Sequence, residues 1–144
     1  MTDKLRGICS IILNKKPKTT NLVLQKLLYF IQAASLIYLK HEAFDDEIQA
    51  WQYGPVVPEA YYKFKYNSDL FCKDLPVIEE EVKDIINIII ENLADQNAYD
   101  LVDLTHSYDS WKNAWNNGAG SIISKDDIIK CHEKIAEQKN GFIF

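Results

Sequence analysis

The chain has 144 residues, 47% hydrophobic and 26% charged, which is ordinary globular usage and the size of one domain, taken here as residues 1–144. A chain of this length removes roughly 68% of its unfolded surface from water, so it needs no metal, cofactor or disulfide to fold; its three separated cysteines, Cys9, Cys72 and Cys131, fit neither a disulfide framework nor a zinc site and suit a reducing cytoplasm. The net charge of −5 is unevenly spread, with seven Lys/Arg against Asp3 alone in residues 1–40 (+6) and −11 on the remainder, a polarity able to steer a charged partner but without the domain-wide basic surplus of a nucleic-acid binder.

In chain order, apolar spacing near 3.6 residues predicts a first helix over residues 4–13. Its apolar run 8–13 is far short of the roughly 18 residues of a membrane span, and neither a targeting signal nor a membrane association is expected. After Pro17, Asn21 is a plausible N-cap for a helix running to Leu39, apolar on nearly every side except the strip Asn21, Gln25 and Gln32. A helix apolar all round belongs in the middle of a core. Residues 41–53 carry the acidic turn Asp45-Asp46-Glu47 and then alternate, which predicts a short hairpin or extended arm near residues 43–52. Gly54-Pro55 reads as a break, and Pro58-Glu59 opens a helix bearing Tyr61, Tyr62 and Phe64.

Beyond Pro76 and Glu79-Glu80-Glu81, the stripe Val82, Ile85, Ile86, Ile89, Leu93 predicts a helix despite its β-branched content. Further helices are expected over 98–105 and 111–115, then a loop over 116–120. Ser124 with Asp127 is a capping-box variant opening a last helix striped by Ile128, Ile129, Ile135 and Ala136. The predicted fold is mainly α: six or seven helices around a central buried helix at 24–38, with one small extended element.

The most distinctive residues are Leu24-Gln25-Lys26-Leu27-Leu28-Tyr29-Phe30 and Trp51-Gln52-Tyr53-Gly54-Pro55-Val56-Val57-Pro58-Glu59-Ala60-Tyr61. Glycine frees the backbone and Pro55 restrains it toward extended geometry, placing two large aromatics beside a stiff turn. Such rings form either a corner of the core, the reading favoured by residue type alone, or a rigid binding platform. Together with Leu104-Thr105-His106 and Trp111-Lys112-x-Ala114-Trp115, these blocks resemble the Panacea domain family, also called SocA-like and first noted among phage-associated proteins, in order over residues 22–132.

The resemblance implies a mostly helical antitoxin that neutralises by direct binding a toxin encoded beside it. One relative instead delivers its toxin to a protease, so an ATP-dependent protease is the alternative partner. The family-motif positions in this sequence, structural or partner-binding, are Gln25, Lys26, Tyr29, Trp51, Tyr53, Gly54, Pro55, Val56, Pro58, Tyr61, Thr105, His106, Trp111 and Trp115.

Two other functions have weaker support in the sequence. A hydrolase using His106 with Asp109 or Ser107 lacks a nucleophile motif, and a histidine tying a helix end to a loop accounts for His106 without chemistry. A DNA-binding regulator would rely on the basic N-terminal third, whose one basic cluster is Lys15, Lys16 and Lys18. No metal site is expected: Cys131 and His132, adjacent on a helix, point about 100° apart. His132 reads as a boundary residue with a satisfied ring. Trp111 and Trp115, i and i+4, share a face and serve as core anchors or as a partly exposed hot spot. The apolar run 141–144 is expected to dock on the domain.

Overall fold

In a computed structural model, which describes residues 1–72 and 75–144, the helical expectation holds. Helix α1 (Asp3–Lys15) starts where Thr2 Oγ1 accepts from the Leu5 amide, and it buries Leu5, Ile8, Cys9 and Ile12. Helix α2 (Asn21–Ala34) is the central element: every residue from Val23 to Ala34 is buried. Its N-cap is Thr20, whose hydroxyl takes the Val23 amide, and not Asn21. Both residue types cap well, but Asn21 lies inside the first turn, where its side chain bonds the Tyr61 carbonyl and Gln25. The helix does not run unbroken to Leu39; it widens into a π-turn over Ser35–Leu39, where Ser35 Oγ donates to the His41 carbonyl, and stops at Lys40 in the left-handed region. By length and composition Asn21–Leu39 could cross a membrane, but 83% of its most apolar window is buried inside the protein.

Strand β1 (Ile48–Trp51) pairs antiparallel with β2 (Gly54–Val56), Ala50 opposite Pro55 and Trp51 opposite Gly54. Gly54-Pro55 is therefore strand where a break was expected. Pro55 costs no ladder bond because β2 is an edge of the sheet. A third strand not predicted from sequence, β3 (Ile122–Ile123), pairs on the other side of β1, giving the order β2-β1-β3.

Helix α3 (Pro58–Asn67) has proline in its first turn and leads into a 3-10 turn, Ser68–Cys72. Helix α4 (Glu80–Leu93) buries the predicted stripe together with Ile90. Helices α5 (Ala98–His106) and α6 (Asp109–Asn116) are longer than predicted, and α7 (Lys125–Gln138) begins with the Asp127 amide on Ser124 Oγ. Helices α1, α3, α4, α5 and α7 and strand β2 all pack on α2, so one core surrounds it. At about 1.5–3 kcal/mol per buried large aliphatic or aromatic side chain, this wrapping is the main stabilising contribution.

The charge polarity of the sequence is largely folded back on itself. Lys4 pairs with Glu79 and Lys16 with Asp95, both at 3.1 Å, and Lys15 bonds Asn87, so the basic first helix lies against the acidic α4 region. Lys125 likewise holds Glu42 at 2.6 Å and Asp45 at 2.9 Å.

Candidate partner-binding face

Gln25, Lys26 and Gln32 of α2 are buried, because they tie down backbone groups at the hairpin and its flanks that no helix or strand neighbour satisfies. Gln32 closes a bracket on the segment before the hairpin: its Oε1 accepts from the Ala43 amide at 2.9 Å and its Nε2 donates to the Phe44 carbonyl at 2.8 Å. About two turns earlier, Gln25 Oε1 accepts from the Val57 amide at 2.9 Å and Lys26 Nζ donates to the Pro55 carbonyl at 2.7 Å. Lys26 is fully buried, and desolvation pulls its ammonium down to about 7. Buried backbone groups must find partners, and these three side chains provide them.

Gly54 fits over this clamp with φ +111, a conformation that L side chains avoid. A Cβ there would meet Thr105 Oγ1 at 2.7 Å and Lys26 Cε at 2.8 Å. Thr105 is buried and returns its hydroxyl to α5 carbonyls, while Val56 is buried beside it in β2. On the other side of the turn, His106 Nε2 lies 2.8 Å from the Gln52 carbonyl and Trp111 Nε1 donates to the Trp51 carbonyl at 3.0 Å. The His106 ring also lies over Trp111, centroids 4.2 Å apart. His106 thus ties the end of α5 to the hairpin, as the non-catalytic reading expected.

The structure divides the predicted motif residues by direction. Gln25, Lys26, Gly54, Pro55, Val56, Thr105, Trp111 and Tyr29 face inward; Tyr53 is 56% exposed at the tip of the turn, so its placement in the core is corrected. A two-residue turn has no interior to bury it. Trp51 and Trp115 are half-buried, and Trp115 stacks on Trp111 at 5.4 Å. Pro58 opens α3, and Tyr61 meets Trp51 edge-on at 5.0 Å. The rings continue outward through Tyr62, 6.1 Å from Trp51 and 50% exposed, to Tyr66, stacked on Tyr62 at 6.4 Å and 73% exposed. Tyr66 was not singled out in the sequence, although its i, i+4 spacing from Tyr62 was the available signal.

A second buried network is centred on Tyr29, one turn beyond Gln25 on the same face of α2. Tyr29 Oη is 2.6 Å from Ser110 Oγ and 2.7 Å from His132 Nε2, while His132 Nδ1 is 2.6 Å from the Ile143 carbonyl. A carbonyl only accepts, so Nδ1 carries the proton, Nε2 accepts from Tyr29, and Tyr29 accepts from Ser110. Burial holds His132 down to about 4 and pushes the Tyr29 hydroxyl well up, so the relay is neutral and structural. His132 is fully buried, not the boundary residue expected. It fixes the segment that follows α7: Ile143 is buried and Phe144 packs edge-on to Phe30 at 5.7 Å, whereas Phe142 stays 57% exposed and does not dock.

A family model described as antitoxin SocA-like, Panacea domain matches residues 24–112, a span containing every motif position above except Trp115. Antitoxin SocA of Caulobacter vibrioides (strain NA1000 / CB15N) is 26% identical over 102 residues, 68% of this chain and 54% of that protein. The chain therefore spans about half the length of the curated relative it matches. No solved structure matches.

Proposed function

The chain belongs to the antitoxin SocA-like, Panacea domain family, and from that premise we propose that it neutralises a cognate protein toxin by binding it directly in the cytoplasm. The observation that carries this reading is the match over residues 24–112, which takes in the whole hairpin and the α2 residues that clamp it. The geometry supports a presenting scaffold in place of a reactive cleft. The ring of His106 is committed to a backbone carbonyl and to Trp111, and Tyr62 and Tyr66 of α3 face outward. Neutralisation by occlusion needs only such a surface, with no bond made or broken.

The test is co-expression with the open reading frame adjacent to this gene. That frame alone is expected to arrest growth, and this protein to restore growth and co-purify with its product. Toxin half-life stays the same during rescue if occlusion suffices. A harmless neighbour, or one still toxic in the presence of this protein, ends the reading.

A further inference from the structure

The outer face of α3 is unusual for a surface helix. Tyr62 and Tyr66 are 50% and 73% exposed, yet they are ordered against each other, with rings 7° from parallel, and continue a ladder that starts at the half-buried Trp51. The face is also rigid, held at one end by Pro58 following the clamped hairpin and by Asn21 Nδ2 donating to the Tyr61 carbonyl. Lys65 sits among these rings, its Nζ 5.3 Å from the centre of Tyr66 and 6.0 Å from that of Tyr61. Among the described residues neither Lys65 nor Lys63 has a carboxylate partner, and Lys65 is the lysine that stands over aromatic rings. On a chain of net charge −5, two unpaired lysines beside exposed tyrosines make a local cationic, aromatic patch.

Resting on the toxin-binding reading above, we propose that this α3 face is where the toxin docks, and that it takes an acidic segment whose carboxylates stand among apolar side chains. Tyrosine and tryptophan supply large contact area with few torsions to freeze, the usual make-up of a protein hot spot. Lysine held over aromatic faces presents its charge to an incoming carboxylate in a site that the rings help to dry. A single-stranded nucleic acid also stacks on aromatics, but it requires a cationic groove tracking many phosphates. Here two lysines lie between Glu59 and Asp69 on the flanking turns.

The experiment titrates the full chain against the purified product of the neighbouring gene. Wild-type binding establishes the partner. Lys65→Glu is then expected to weaken Kd roughly tenfold and the double variant Tyr62→Ala/Tyr66→Ala roughly thirtyfold or more, with helical circular dichroism unchanged. Lys65→Arg keeps the affinity, as does Tyr99→Ala, an exposed tyrosine on α5. If wild type binds and both α3 variants bind equally well, this face is not the site, although the functional reading stands. No wild-type binding ends both. A mixed-sequence single-stranded RNA that binds wild type and is lost in Lys65→Glu, while toxin binding stays intact, overturns the proposal in favour of nucleic acid.

Discussion

Lys26 shows how a single residue can tie down buried backbone while exacting a cost from the fold. Its ammonium is buried against the Pro55 carbonyl, and desolvation brings it down to about 7. The unfolded chain holds that proton up to about pH 10.4. Between those values the unfolded state binds more protons, so stability rises with pH through this window and is flat below it. At about 1.4 kcal/mol per pH unit, the wild type should gain about 2 kcal/mol over Lys26→Met between pH 7 and pH 8.5. The variant starts lower by about 1–3 kcal/mol, because the Pro55 carbonyl loses its donor. Urea unfolding of both proteins at the two pH values measures this; an unchanged gap would mean that Lys26 reaches solvent.

Among the elements, the joint between α2, α6, α7 and the segment through Ile143 is held by the Ser110–Tyr29–His132 relay. His132 sits at about 4 when folded and near 6.5 when unfolded. Here too the unfolded state binds more protons between the two values, so stability is complete above pH 6.5 and is lost as pH falls toward 4. His132→Asn, whose amide can stand where Nδ1 donates to the Ile143 carbonyl, should flatten this acid limb by up to about 1.4 kcal/mol per pH unit when unfolding is followed from pH 6.5 to 4.5. Identical acid limbs would remove His132 as the cause. The helices were legible in the sequence because their apolar stripes repeat with the helical period, as in Ile128 and Ile135 of α7 or Val82 through Leu93 of α4. Strand β3 was not, since two isoleucines between Ser121 and Ser124 carry no period at all. In the candidate site the motif residues could be picked out but not oriented. Which of Trp51, Tyr53 and Gly54 faces inward depends on the two-residue turn and on what α2 and α5 offer beneath it. Tyr62 and Tyr66 share the spacing of a buried stripe, and only the packing of α3 shows them outside.

On the scale of the whole molecule, the separation of +6 from −11 along the sequence does not survive folding as two opposed surfaces. The first helix lies against α4 with Lys4 on Glu79, and Lys16 just beyond it on Asp95, while Lys15 bonds Asn87. Of the cluster Lys15, Lys16 and Lys18, only Lys18 is left without a side-chain partner among the described residues. Duplex DNA binding gains affinity by displacing counterions, with a salt slope of about −0.9 per phosphate neutralised. A basic cluster reduced to one free cation gives a slope near that of a single contact, too weak to hold a complex in a gel. A fragment of the gene's own promoter should therefore show no shift with this chain at about 50 mM salt. Lys15→Gln/Lys16→Gln should leave the proposed toxin neutralisation intact and lower stability by less than about 1 kcal/mol, because the interactions it removes are surface ones. A shifted complex with a slope of about −4 or steeper, abolished in that double variant, would show that these lysines leave α4 for phosphates and that the basic third of the sequence acts as a binding surface after all.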